Sequence, residues 1–186
     1  MGVDILIFRH FVGGKSEAWV RNNTKAKRVS VAGFFGRKTV NGRKLFHGVD
    51  LWILDGKVRI PSRFNRPILV SHWDGKVEIV ANIKAIKDLT NVMSAEAGMK
   101  NPPKPSERLA RQFWAVKNGF YFHFEMVGTA SRCLRVAKQW GFGTIIHFDG
   151  GSSLVAKFSP SYATVYHKPK SQDLPVNSAR LQLASN

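Results

Sequence analysis

The chain has 186 residues, enough for one ordinary domain or two small ones, and its 44% hydrophobic and 22% charged residues are close to globular averages. This composition excludes wholesale disorder, collagen-like repeats and coiled coils. Its charge is unusual, because 29 lysines and arginines face only 12 aspartates and glutamates, for a formal net charge of +17. Such a chain repels itself unless a polyanion neutralises it, so nucleic acid is the expected partner.

Three paired turn residues mark hairpins in the first half of the chain, namely Asn41-Gly42, Asp55-Gly56 and Asp74-Gly75. Each dipeptide favours the positive φ of a tight turn and lies between apolar stretches that alternate as strands do. Further strands are predicted at 3–8 and 29–35. Together these elements predict an antiparallel meander.

Helical spacing of apolar residues begins after the third hairpin and predicts a helix over 83–93, with Gly98 as its terminator. Three prolines within 101–106 then form a stiff connector. After them, Ser106 is a candidate N-cap for a second helix over 107–117.

The last third of the chain predicts a strand at 120–127 and a third helix from a Thr129 cap to Trp140. A strand at 144–148 follows. A hairpin is predicted from two further strands, 154–158 and 162–166.

The predicted fold class is α+β: an N-terminal antiparallel meander or half-barrel, followed by about three helices and a smaller antiparallel sheet. The predicted organisation is a basic β-rich subdomain over 1–100 that ends in a helix, the connector 101–106, an α+β subdomain over 107–167, and a polar tail over 168–186. One compact domain over the whole chain is the alternative.

Cys133 is the single cysteine, which excludes an internal disulfide framework and a multi-cysteine zinc site and favours a reducing compartment. The apolar run at 5–8 is too short for a signal peptide, and nothing approaches the ~20 apolar residues of a membrane span. We therefore expect a soluble intracellular protein without a membrane partner, in the cytoplasm, in the nucleoid or nucleus, or associated with a virion.

The basic residues peak between Ala18 and Val49, where the chain has no acidic residue. Phosphates attract such a segment through the release of condensed counterions. Phe34 and Phe35, bracketed by glycines within it, are candidate rings for stacking on bases. A second basic face is predicted on the third helix. The candidate nucleic-acid contacts are the cations Arg21, Lys25, Lys27, Arg28, Arg37, Lys38, Arg43 and Lys44 of the first segment and Arg132, Arg135 and Lys138 of the third helix.

Two short patterns, His123-Phe124-Glu125 and His147-Phe148-Asp149, each place a histidine and a carboxylate two residues apart in a predicted strand. Side chains two apart in a strand share a face, so neighbouring strands would bring the four groups together. Such a group could hold a divalent metal or act as acid and base on a phosphodiester.

The first expectation is a non-catalytic protein that binds RNA or single-stranded DNA mainly through phosphates, without a cofactor or bound metal. One alternative is a metal-dependent nuclease or nicking enzyme that uses His123, Glu125, His147 and Asp149. Another is a structural component of a nucleoprotein assembly, which would also have protein partners.

Overall fold

The computed structural model describes residues 4–156 and 158–167. Of the described residues 50% are in strands and 16% are helical, with three short α-helices and one 3-10 turn. The protein is therefore mostly β, and the α+β prediction is wrong.

The described strands in chain order are β1 (Asp4–Ser16), β2 (Arg28–Val31), β3 (Phe35–Val40), β4 (Arg43–Gly48), β5 (Trp52–Leu54), β6 (Lys57–Ile60), β7 (Ile68–His72), β8 (Val77–Val80), β9 (Val92–Ala97), β10 (Leu109–Lys117), β11 (Phe120–Gly128), β12 (Ile145–His147) and β13 (Phe158–His167). The helices are α1 (Glu17–Thr24), α2 (Ala130–Gln139) and α3 (Ser152–Ala156), and the 3-10 turn covers Ile83–Ala85.

These strands form four sheets whose neighbours are antiparallel. One sheet has five strands in the order β6-β5-β9-β7-β8, and two have three strands, in the orders β1-β13-β2 and β11-β10-β12. The fourth is the β3-β4 hairpin. The long strand β13 lies between β1 and β2, so the first and last described strands pair with each other.

All three glycine turns are confirmed, because they connect β3 to β4, β5 to β6 and β7 to β8. The predicted meander is wrong. Strand β9 inserts between β5 and β7, and the β3-β4 hairpin forms a separate sheet. Local turn chemistry specifies a hairpin but carries no information about which later strand separates two hairpins.

The helix predicted over 83–93 is wrong, since only Ile83–Ala85 forms a helical turn there. Ile83, Ile86 and Leu89 instead pack their partly buried side chains against the core under the five-stranded sheet. Strand β9 follows, and all six of its residues are buried because both of its faces are covered. Met93 belongs to one core cluster, and Val92, Ala95 and Ala97 belong to another. The apolar residues before strand β9 are spaced as in a helix because an irregular stretch of chain covers the core there.

The helix predicted over 107–117 is also wrong, since this segment forms β10 at the centre of its sheet. Phe113 and Trp114 are both buried although adjacent residues of a strand point to opposite faces. A strand covered on both faces lacks the alternation of a half-buried strand, and its apolar run can imitate a helix.

The later elements are confirmed in part. Strand β11, helix α2 with its Thr129 cap, and strand β12 lie where the sequence predicts them. The sequence missed α1, which Ser16 caps by accepting from the Trp19 amide. The hairpin predicted from 154–158 and 162–166 is wrong, because α3 is followed by the single strand β13. The predicted tail over 168–186 lies outside the described residues.

Pro160 fits into β13 because of an irregularity in the partner strand. The register with β1 shifts between His10 and Lys15, which pair with Ser161 and Ser159 on either side of the proline. Proline has no amide hydrogen for a regular ladder, so it is tolerated where the ladder is interrupted.

The main hydrophobic core contains side chains from both sides of the proline connector, including Phe8, Met93, Trp114 and Ile146. Hydrogen bonds join β1 to the five-stranded sheet. The Phe8 amide donates to Ser94 Oγ at 2.7 Å, and the Trp52 indole donates to the Phe8 carbonyl at 2.9 Å.

Arg111 holds the connector against the β10-β11 pair. Arg111 is 4% exposed, and its guanidinium donates to the backbone carbonyls of Pro103, Lys104, Glu107 and Gly128. A buried cation with this many acceptors is satisfied without a carboxylate. The connector is thereby fixed beside the end of β12, where it helps form a pocket.

Candidate nucleic-acid interface and acidic pocket

A cleft of about 420 Å³ lies between β2 and β13 on one side and β10 and β11 on the other. We call it the Trp140 cleft. Arg21 of α1 and Arg28 of β2, both exposed, line it together with Trp140, the residue that ends α2. The structure thus places two cations of the acid-free segment beside aromatic residues that are about 100 positions away in the chain.

Packed rings border the Trp140 cleft from the α2 face of β11, which is the face opposite to that of His123 and Glu125. The Trp140 side chain is 56% exposed and its ring centroid is 5.0 Å from that of Phe124. Phe122 and Phe124 are nearly parallel, at 10°, and both contact Phe142. A large exposed ring supported from behind by others is a stable platform for a planar ligand.

Ser30, His123 and Glu125 are polar residues that line the Trp140 cleft, and His123 and Glu125 lie on the face of β11 opposite to Phe122 and Phe124. These three polar residues surround the side chain of Gln112, which is 1% exposed and does not itself line the cleft. Its Oε1 accepts from Ser30 Oγ at 3.1 Å and is 3.0 Å from His123 Nε2. Ser30 Oγ is also 3.3 Å from Glu125 Oε1. The His123 ring stacks on Trp114 at 4.4 Å, which holds it in place at the cleft wall.

The remaining predicted cations are exposed but lie on separate elements. The short segment between α1 and β2 contains Lys25 and Lys27. Lys25 is the C-cap of α1, with φ 54°. The other cations are Arg37, Lys38, Arg43 and Lys44 on the β3-β4 hairpin and Arg132, Arg135 and Lys138 on α2.

The predicted stacking rings Phe34 and Phe35 are half-buried and do not line the Trp140 cleft. Phe35 packs edge-on against Phe46 at 5.6 Å, and the Arg37 guanidinium lies 5.5 Å from the Phe46 ring centroid. Phe34 lines a different pocket, described below.

The structure does not bring the two histidine and carboxylate pairs together. Strand β10 separates β11 from β12, and His123 pairs with Trp114 whereas His147 pairs with Phe113. Because Phe113 and Trp114 point to opposite faces, the two histidines do too. Among the described residues no group of three or more His, Cys, Asp or Glu side chains is arranged to hold a metal ion.

His147 and Asp149 instead line a second site of about 370 Å³, which we call the Asp149 pocket. The proline connector, including Lys104, forms one side, and Phe34 and the Gly150–Ser153 segment form the others. The Gly150 position needs a glycine, because a Cβ there would lie 2.8 Å from the Ala110 carbonyl oxygen.

The Asp149 carboxyl has a raised pKa, chiefly because burial disfavours its charged form. Hydrogen bonds from the Ser153 side chain and the Gly150 amide, and the charge of Arg37, act in the opposite direction. Asp149 therefore keeps its proton to a higher pH than an exposed aspartate.

His147 is 1% exposed, and neither of its ring nitrogens has a hydrogen-bond partner among the described residues. Burial, assisted by the positive charge of Arg111, lowers its pKa to about 4. The ring is neutral at physiological pH and supplies no positive charge to the Asp149 pocket.

The sequence missed two functional features, Trp140 as an exposed ring and Gln112 as the centre of a polar group. Trp140 falls on the apolar side of α2 by helical spacing, yet it ends the helix and extends into solvent. Its neighbours do leave a signal, because 113–142 is unusually rich in aromatic residues. Gln112 leaves no such signal, because a single glutamine between Arg111 and Phe113 matches no sequence pattern.

No family model matches the chain, and no curated protein matches it. Within the described residues, no helix is long and apolar enough to cross a lipid bilayer.

Replacing Gln112 by leucine should destabilise the protein by about 2–4 kcal/mol, because several buried partners lose a hydrogen bond at once. Urea unfolding measures the change. The matched control is Gln139→Leu at the exposed end of α2, which should change stability by less than about 0.5 kcal/mol. Equal effects of the two substitutions would contradict the central role of Gln112.

The stability of the protein should fall as the pH is lowered from about 6.5 to 4, through the protonation of His147. Since its folded-state pKa is depressed, the unfolded chain binds the proton more tightly in this range, and the full stabilisation is present above the unfolded pKa. The difference should reach about 3 kcal/mol at the acid end.

His147→Phe should remove that part of the pH dependence when wild-type and variant unfolding are compared across the range. A histidine titration followed by NMR measures the pKa directly. A His147 resonance that titrates near 6.5 would refute the account.

Proposed function

We propose that the protein binds single-stranded nucleic acid, RNA or DNA, without cleaving it. The observation that carries this proposal is the Trp140 cleft, in which Arg21 and Arg28 lie beside an exposed tryptophan on a supported aromatic cluster. Cations that follow a phosphate backbone, combined with rings on which bases stack, are the usual components of single-strand binding sites.

The charge supports this proposal independently of the cleft. A net charge of +17 gives a long-range attraction for any polyanion, and each neutralised phosphate releases condensed counterions. The exposed cations on the β3-β4 hairpin and on α2 extend the positive surface beyond the cleft. These cations contribute phosphate contacts, whereas the cleft supplies stacking.

The polar group in the Trp140 cleft supports contacts to bases or sugars. The Glu125 carboxylate accepts hydrogen bonds and repels phosphate, so it suits an exocyclic amino group or a ribose hydroxyl. His123 lies 3.8 Å from Glu125 through Nε2 and either donates or accepts, depending on its tautomer. In this arrangement the arginines hold phosphate at the edge of the cleft. The base that stacks on Trp140 is a different one from the base or sugar that contacts His123 and Glu125, because these lie on opposite faces of β11.

The double substitution Arg21→Gln with Arg28→Gln should reduce the salt dependence of binding. Loss of two phosphate contacts should lower the log–log slope by about 1.4 for a single strand, at about 0.7 per phosphate. Fluorescence anisotropy with a labelled single-stranded oligonucleotide, at several salt concentrations, measures this slope. Lys57→Gln with Arg59→Gln on exposed β6 is the matched control and should leave the slope nearly unchanged.

Trp140→Ala should lower the affinity by about 5- to 150-fold, equivalent to the 1–3 kcal/mol of one stacked base, and should not alter the salt slope. Phe64→Ala removes another exposed ring, 49% exposed and outside the cleft, and is the control. Unchanged binding in both cleft variants would place the interface elsewhere. Absence of binding to any single strand at low salt would refute the function.

A second candidate function is the cleavage of a phosphodiester in the Asp149 pocket. The observation that favours it is a carboxyl group with a raised pKa in a pocket that also contains Lys104 and is influenced by Arg37. In this hydrolysis a water molecule attacks phosphorus and loses its proton to solvent, while the protonated carboxyl donates its proton to the oxygen that leaves. The cations stabilise the phosphoryl oxygens.

If this second function is correct, Asp149→Asn should abolish the hydrolysis of bis(p-nitrophenyl) phosphate, and wild-type activity should fall as the pH rises and deprotonates Asp149. Absorbance of the released nitrophenolate, corrected for its own ionisation, measures the rate with and without added magnesium or manganese. Asp88→Asn, at an exposed acid outside the pocket, is the control. Wild-type protein without activity under all these conditions would refute hydrolysis of this substrate.

A further inference from the structure

A third cavity, of about 700 Å³, lies between the five-stranded sheet and helix α2, and we call it the Lys138 cavity. Ile79 and Val80 of β8 form part of one wall, and Leu134 of α2 and Ile145 of β12 form part of the other. These four side chains are only partly buried, although they pack against core residues or lie beside them. The cavity therefore presents an apolar surface that the described residues leave uncovered.

The charged residues that line the Lys138 cavity are all positive. Lys100 and Lys138 both line it and both are exposed, and no aspartate or glutamate is among its lining residues. Within residues 4–156 and 158–167, neither lysine forms an ion pair. Two ammonium groups beside an apolar cavity attract a ligand that has an anionic end and a hydrocarbon body.

The size of the cavity is that of a small-molecule site. Clefts that bury drug-sized ligands are usually about 300–1,000 Å³, mostly apolar, with a few polar groups that orient the ligand. Asn65, Asn101 and Thr144 add such polar groups to this cavity.

We infer that the Lys138 cavity binds a small amphipathic carboxylate, with its hydrocarbon chain against Ile79, Leu134 and Ile145 and its carboxylate at Lys100 and Lys138. This site lies beyond the proposed nucleic-acid function, because it shares no lining residue with the Trp140 cleft. It also gives Lys138 a second role, beside the phosphate contact proposed for the exposed cations of α2.

The probe is octanoate, added to the full chain carrying labelled isoleucine methyl groups. The Ile79 and Ile145 methyl resonances should shift in a saturable way, whereas the methyl of Ile53, which is fully buried in another cluster, should not. Octanol lacks the charge and acetate lacks the chain, so both should bind more weakly. Absence of saturable shifts at millimolar octanoate, or octanol binding as tightly as octanoate, would overturn the inference.

Two variants test the position of the ligand. The double substitution Lys100→Gln with Lys138→Gln should lower the affinity for octanoate by about fivefold, because two exposed charge contacts are lost. The affinity for octanol should not change. Lys57→Gln with Lys84→Gln is the matched charge control. Ala81→Trp, at an exposed lining position, should block both ligands, and its thermal unfolding shows whether the fold is retained.

Unaltered octanoate binding in a folded Ala81→Trp variant, or equal weakening in the two double-lysine variants, would overturn the inference. Oligonucleotide binding should be unchanged by Ala81→Trp. Failure of the nucleic-acid proposal and failure of this one are therefore distinguishable.

Discussion

The arrangement of both candidate sites depends on the hydrogen bonds of one buried side chain, Gln112. Its amide nitrogen donates to the carbonyls of Val31 and Asp149, and its oxygen accepts from Ser30 and lies within hydrogen-bond distance of His123. These partners belong to β2, to the segment after β12 and to β11. A buried amide that satisfies this many groups joins separate sheets with directional bonds, which apolar packing alone does not provide.

Two carboxylates among the described residues, those of Asp50 and Glu96, are buried and already partnered, so neither can pair with an exposed cation. Asp50 is 5% exposed and accepts from the amides of Leu51 and Arg63, with Arg66 at 3.5 Å. Glu96 is 2% exposed and lies 2.9 Å from His10, and burial raises its pKa despite the histidine. The excess of lysine and arginine therefore dominates the field that a polyanion meets.

The sequence predicts the local elements of this fold better than their arrangement. Turns such as Asn41-Gly42 and caps such as Thr129 depend on a few adjacent residues, so they are visible in the sequence. Strand β10 is not visible in the sequence, because Phe113 and Trp114 are both buried and the alternation of apolar and polar residues disappears. The cations of the Trp140 cleft could be predicted from charge, but their proximity to Trp140 follows from the pairing of β13 with β2 and from the packing of two sheets.

The same loss of alternation raises the question of what fixes the register of β10. A strand with one buried face has its register set by the apolar pattern, because a one-residue slip would expose that face. In β10 a slip would exchange two large apolar residues, Phe113 and Trp114, and the apolar pattern discriminates poorly between the two registers.

Gln112 strongly favours the observed register of β10. A one-residue slip would move its amide to the opposite face and leave the buried groups of Ser30, Val31 and Asp149 without this partner. The register in turn sets which residues of β11 face Ser30 and β2. By fixing this register, Gln112 positions His123 and Glu125 in the Trp140 cleft and His147 on the other face of the sheet. No pattern in the sequence distinguishes this glutamine from any other.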